Sequence, residues 1–133
     1  MPNYNKVILM GNLVRDPELR YTPTSIPVVT LRLAVNTVFR TQQGEKKTES
    51  CFINVIVIGN QALPCTEYLA KGDPVFVEGR LQSRSWDDAQ GQKRSTIEVV
   101  ASRVQFISSK KKPLEEHIEV EEEIEPIEEE KKE

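Results

Sequence analysis

Histidine is almost absent from this chain. The single one, His117, lies in a Glu-rich stretch with nothing to hold it, so the commonest general acid or base has no place in a built site. Cysteine is nearly as scarce. Neither Cys51 nor Cys65 has a second cysteine or a histidine at metal-ligand spacing, which argues against zinc. In a cytosolic chain two lone cysteines read as buried thiols rather than a disulfide. There is no long uninterrupted apolar run, so no transmembrane helix and no membrane partner are expected. Met1-Pro2-Asn3-Tyr4 lacks the basic-then-apolar build of a secretory signal. The glycines form no phosphate-cradling loop followed by Lys-Ser or Lys-Thr. Asp87 and Asp88 are adjacent and in a turn point apart, and the other acids ahead of the tail are scattered, so a carboxylate cluster for a divalent ion is missing too. The expectation is a protein without catalysis, cofactor or metal.

What the chain does have is a division of charge. Its net charge is −3. Residues 113 to 133 hold eleven Glu against Lys131 and Lys132, a balance of −9, while residues 1 to 112 carry 16 basic and 10 acidic side chains, a balance of +6. A basic domain with an acidic appendage suggests a polyanion-binding surface; the competing reading is a solvated tail that aids solubility. Hydrophobic content is 38%, low for a globular domain because the tail dilutes it. The length suits one small domain, residues 1–107, and a tail, residues 108–133.

Five strand regions can be read. Tyr4 to Val14 is apolar on both parities (Val7, Leu9 and Leu13; Ile8, Met10 and Val14), as in a barrel strand that also forms an oligomer contact. Asp16-Pro17 starts a turn, and Thr22 to Pro27 is a loop. Val28 to Phe39 is rich in β-branched residues. Gln42-Gln43-Gly44-Glu45 turns the chain, and Cys51 to Ile58 returns, making a hairpin that can project. Asn60 is placed to cap a helix running to about Ala70, with Pro64 in its first turn and Lys71-Gly72 closing it. Val75 to Trp86, bent near Gly79, and Arg94 to Ile107 flank the turn Asp87 to Gly91. Five strands with one short helix between the third and fourth match an all-β, five-stranded Greek-key OB-fold barrel.

Several ordered segments carry a resemblance. They are Asn5 to Tyr21 with its Gly11 and Asp16-Pro17, Ile58-Gly59, Tyr68-Leu69-Ala70-Lys71-Gly72, Val77-Glu78-Gly79-Arg80-Leu81, Trp86-Asp87-Asp88 with Gly91, and Ile97-Glu98-Val99-Val100-Ala101. In this order, from residue 4 to about 107, the chain resembles the bacterial single-stranded DNA-binding protein family. The resemblance implies sequence-nonspecific binding of single-stranded DNA in replication, recombination and repair, in the cytoplasm at the nucleoid. The alternatives are a primosomal OB-fold adaptor, which Trp86 and the full Asn5–Tyr21 match count against, and an RNA-binding OB domain, since stacking alone does not separate RNA from DNA.

A sequence-tolerant binder needs flat side chains for bases and cations for phosphates. The resemblance implies stacking at Phe39, Phe52 and Trp86. For Phe52 plain core is the competing reading, because Ile53, Val55 and Val57 surround it. Phe76 and Phe106 are assigned to the core, and Tyr68 to the barrel end. Ile58 departs from the family, where an aromatic is frequent. The phosphate candidates are Lys6, Arg20, Arg32, Arg40, Lys46, Lys47, Lys71, Arg80, Arg84, Lys93 and Arg94. Lys6 and Arg84 match family positions that face nucleic acid, and Lys71 one close to it. Arg40, Lys46 and Lys47 are chosen as a projecting basic loop, and several of the eleven are expected to be plain solvated charges. Asn60 and Ser85 stand where relatives often carry a basic residue.

The tail has little to bury and is expected to be disordered; a helix over Leu114 to Glu125 is opposed by like-charge neighbours and stopped by Pro126. The chain ends Glu128 to Glu133 without the acidic Pro-Phe tip through which the family docks replication and repair proteins, so partner recruitment is carried over only weakly. A first strand apolar on both faces leaves one face needing a partner, and the resemblance implies a homotetramer.

Overall fold

Strict alternation builds the core. In the computed structural model, which describes residues 1–107, strand β1 spans Val7–Leu13, β2 Glu18–Tyr21, β3 Pro27–Arg40, β4 Lys46–Ile58, β5 Pro74–Asp87 and β6 Lys93–Phe106, with helix α1, Ala62–Tyr68, between β4 and β5. Every second residue of the long strands points inward: Val29, Leu31 and Leu33 of β3, Val55 and Val57 of β4, Val75 and Val77 of β5, and Val99 of β6 are wholly buried. Each stabilises the fold by roughly 1.5–3 kcal/mol relative to exposure. β-branched residues dominate because they suit a pleated, packed surface.

The sheet closes on itself. β3–β4 and β5–β6 are antiparallel hairpins, and β4 pairs parallel with β6 at Val55↔Val99 and Ile56↔Val100. β1 pairs with β5 from Val7↔Gly79 to Asn12↔Pro74, then crosses to β3 at Asn12↔Ala34 and Leu13↔Leu33. The ring β1-β5-β6-β4-β3-β1 is the five-stranded Greek-key OB-fold barrel, with its one helix between the third and fourth barrel strands. Two glycines permit the closure. A Cβ at Gly11 would stand 2.5 Å from the Ala34 carbonyl oxygen, and one at Gly79 would stand 2.2 Å from that of Val100. At Gly79 the β5–β6 register also shifts, from Glu78↔Arg103 to Gly79↔Ala101, leaving Ser102 as the extra residue and bending the strand pair where the sequence places a bend.

Local details differ from the sequence reading. Residues 18–21, which the sequence reading assigns to no element, form β2 on the edge of β3 from Glu18↔Thr30 to Tyr21↔Pro27; all four are exposed, so no burial pattern announces them. β4 begins at Lys46 rather than Cys51, because the hairpin ladder with β3 continues to Arg40↔Lys46. That extension carries Cys51 past the barrel, where it is exposed rather than buried. Asn60 does not cap α1. A 3-10 turn, Gly59–Gln61, enters the helix without any side-chain cap bond. Gly72 adopts a positive φ of 96°, and its N–H donates to the Leu13 carbonyl, tying the helix exit to β1. Ala62, Cys65 and Leu69 plug the barrel end within the core. Burial there pushes the Cys65 thiol up to about 11. Phe106 packs on the core, 6.0 Å from the Tyr68 ring. Phe76, expected in the core, instead lies half-buried on the outward parity of β5, opposite Met10.

β1 presents its two parities as read. Val7 and Leu9 pack on the core, while Ile8 and Met10 stay 56% and 58% exposed. The expectations for residues 108–133 lie outside the described residues.

Candidate nucleic-acid interface

The outward parity of the sheet collects most of the candidate residues. The register sets Arg20 of β2 opposite Val28, and places Arg32 of β3 opposite Asn54 on β4, two residues along from Phe52. Across the barrel, Arg80, Gln82, Arg84 and Trp86 of β5 face Val100, Glu98, Thr96 and Arg94 of β6. The parallel β4–β6 pair joins the two halves, since Ile56 and Val100 are partners on this same parity. Phe52, Trp86 and five arginines therefore share one face.

Phe52 is not core. It is 52% exposed, because its parity is opposite to that of Ile53, Val55 and Val57. Trp86 is 40% exposed and Phe39 41%. Phe39, however, pairs with Lys47 on the other parity of the hairpin, so it joins the face only as a rim residue. Ile58, 51% exposed, stands on the Phe52 side of β4, about 20 Å along the strand.

Four of these five arginines, Arg20, Arg32, Arg84 and Arg94, are held in place. The Arg84 guanidinium lies 4.7 Å from the Trp86 ring centroid, and its Nε donates to Glu98 Oε2 at 3.0 Å. The Arg32 guanidinium lies 5.8 Å from the Phe52 centroid, and its Nη1 donates to Asn54 Oδ1 at 3.1 Å. Arg20 Nη1 donates to Thr30 Oγ1. Beside Trp86, Arg94 Nε donates to Asp88 Oδ2 at 2.8 Å. The Arg94 guanidinium, with the Gln92 and Gln90 N–H groups, holds the Asp88 carboxyl below the usual carboxylate range.

The remaining candidates are dispersed. Arg40 and Lys46 share the outward parity at the hairpin tip, where Arg40 donates to the Gly44 carbonyl. Lys47 and Lys93 lie on the opposite parity. Lys6 precedes β1, in a segment that the Asn5 side chain fastens to both backbone groups of Leu81. Lys71 follows α1, where its N–H donates to Asp16 Oδ1 in the connection after β1, and does not join the sheet face.

Sequence reasoning missed Glu98, Asn54 and Thr30, the acceptors that position the arginines. Glu98 had a signal: it is a lone acid inside the apolar run Ile97 to Ala101. Asn54 and Thr30 had none, because their role depends on cross-strand register. Among the described residues no group of His, Cys, Asp and Glu gathers as a metal site, and no helix is long and apolar enough to cross a membrane.

Residues 4–107, the whole barrel with this face, match the single-strand binding protein family. The chain belongs to that family. It is 45% identical over 107 residues to the single-stranded DNA-binding protein of Helicobacter hepaticus, covering 80% of this chain and 63% of that one. It is 46% identical over 106 residues to single-stranded DNA-binding protein 2 of Staphylococcus aureus, covering 80% and 75%. The chain thus spans under two thirds of the Helicobacter relative's length. Among solved structures, a deletion mutant of the single-stranded DNA binding protein from Thermus aquaticus superposes with a TM-score of 0.71 at 33% identity, covering 80% of this chain and 51% of that one. The Plasmodium falciparum SSB in complex with ssDNA gives 0.74 at 26% identity, covering 81% and 98%. Members of the single-strand binding family are DNA-binding proteins rather than enzymes, and these relatives lend no support to the adaptor or RNA-binding alternatives.

Proposed function

We propose that residues 1–107 bind single-stranded DNA without sequence preference, protecting exposed strands during replication, recombination and repair in the cytoplasm. The observation that carries this reading is the shared face on which Phe52 and Trp86, each half exposed, stand beside Arg32 and Arg84. Bases stack on the rings and phosphates meet the arginines, a sequence-tolerant combination because every base has a π-face. Binding the single strand and not the duplex melts hairpins by mass action. Of the eleven cations, Arg20, Arg32, Arg80, Arg84 and Arg94 take the phosphate path across the sheet. Arg40 and Lys46 extend it at the hairpin tip, with Phe39 at its rim. Lys6 borders it from the N-terminal segment, while Lys47, Lys71 and Lys93 lie off it.

Trp86 is the sole tryptophan, so its fluorescence reports directly on the site. Titration with oligo-dT should quench it to saturation, and duplex DNA should not. Absence of quenching, with binding absent or equal on duplex, would turn the barrel into a protein-contact module.

The outer face of β1 takes a second copy of the chain. Ile8 and Met10, with half-buried Phe76 opposite Met10, form an apolar stripe that a like subunit would cover, and the expected assembly is a homotetramer. Sedimentation should give the mass of four chains at micromolar concentration; Met10→Glu should lower it. A mass of one or two chains for the wild type would contradict the assembly. Residues 108–133 would serve as an acidic appendage that competes with DNA for the basic face.

A further inference from the structure

Glu98 is a buried carboxylate on a face built of cations. Its side chain is 5% exposed, and of the two ion pairs among the described residues it makes one, with Arg84. Neither of two ordinary explanations accounts for it. A buried ion pair seldom adds net stability over apolar residues of similar size. An acid on a polyanion-binding face lowers the attraction that the face exists to provide. What the geometry does accomplish is local. Glu98 lies midway along β6, opposite Gln82 and on the same parity as Arg84 and Trp86. It grips Arg84 through Nε, at 3.0 Å, and so fixes the guanidinium 4.7 Å from the indole centroid. A half-exposed indole on a strand next to a hairpin turn would otherwise sample several rotamers. With one face against a tethered guanidinium, its other face stands as a ready platform, and the ordering cost of binding falls. The terminal Nη groups of Arg84 are left for a phosphate. A parallel arrangement recurs at Phe52, where Asn54 holds Arg32 beside the ring; there the anchor is neutral.

We infer that Glu98 is a positioning residue of the nucleic-acid site: acting through Arg84, it holds the Trp86 indole in the pose on which a base stacks. This role rests on the single-stranded DNA reading above.

The test uses the full chain and three variants, Glu98→Ala, Glu98→Gln and Arg84→Lys, with two readouts. The first needs no DNA: collisional quenching by acrylamide and the anisotropy of Trp86 fluorescence. Glu98→Ala and Arg84→Lys should leave the indole more mobile and more readily quenched. Glu98→Gln keeps an oxygen acceptor for the Arg84 Nε and should stay close to wild type. The second readout is affinity for labelled oligo-dT at high salt, where long-range charge effects are screened. There Glu98→Ala should bind about tenfold more weakly, the scale of one impaired stacking contact, and Glu98→Gln should retain most of the affinity. Equal or tighter binding by Glu98→Ala would make Glu98 a mere charge on the face and overturn the inference. So would a lower melting temperature with unchanged Trp86 mobility and unchanged affinity, the mark of a purely structural role. Should Glu98→Ala fail to fold, Arg84→Lys decides, since that side chain is half exposed and the charge is kept; an indole no more mobile than in the wild type would then overturn the inference. Failure of the wild type itself to bind oligo-dT would instead remove the function proposed above, whereas wild-type binding with indifferent variants removes only the role of Glu98.

Discussion

At Trp86 and Phe52 large aromatic rings stay half exposed on strands, although both would gain from burial. On a stacking face that exposure is the working state. Trp86→Ala and Phe52→Ala should each weaken oligo-dT binding by about 1–3 kcal/mol, measured by anisotropy of a labelled oligonucleotide, while Phe106→Ala should chiefly lower stability. Equal affinity in both ring variants would place the bases elsewhere. Cys65 is the other residue with a clear signature. Burial raises its pKa in the folded state from 9.0 to about 11, so the unfolded chain loses the thiol proton first. The stability due to the neutral thiol is fully present below about pH 9 and is lost as pH rises toward about 11. In thermal melts across that window, Cys65→Ala should start less stable than the wild type but lose less with rising pH. Parallel curves would show that the thiol does not titrate in this window.

Among elements, the β5–β6 hairpin contributes most to the site, and its shape depends on Gly79. The register shift there bends the pair, and a side chain would meet the Val100 carbonyl at 2.2 Å. Gly79→Ala should destabilise the barrel by roughly 1–3 kcal/mol, as overpacking does, read as a lowered urea midpoint at unchanged slope. An unchanged midpoint would mean that β5 and β6 can separate at no cost. Beyond the bend, Arg84, Trp86, Arg94 and Glu98 stand together on the outward parity. The β3–β4 hairpin does the same for Arg32, Asn54 and Phe52.

For the molecule as a whole, the charge is arranged rather than abundant. Log affinity for single-stranded DNA should fall linearly with log salt, with a slope of about −0.7 for each phosphate neutralised. Replacing Arg20 or Arg32 by Ala should flatten that slope by about one such unit, and replacing Lys71, which sits beside Asp16 away from the sheet face, should not. Affinity that ignores salt would defeat the phosphate path altogether.

By itself the sequence determined the barrel. Runs rich in Val, Ile and Leu, a bend near Gly79, and a short helix carrying Pro64 in its first turn are local patterns. They were legible because strand parity and turn chemistry act over a few residues. The basic character of the domain was legible from a count of charges, and stacking at Trp86 from the family resemblance. The tertiary structure alone decided which face each residue joins. Phe52 stands outside the core, so its competing core reading falls, and Phe76 leaves the core to which it was assigned, because one-residue parity, not neighbourhood in sequence, sets the side of a strand. β2 arose only by pairing with β3. Glu98 and Asn54 acquired their roles from partners on neighbouring strands, in an order that register and barrel closure impose and that no stretch of residues encodes on its own.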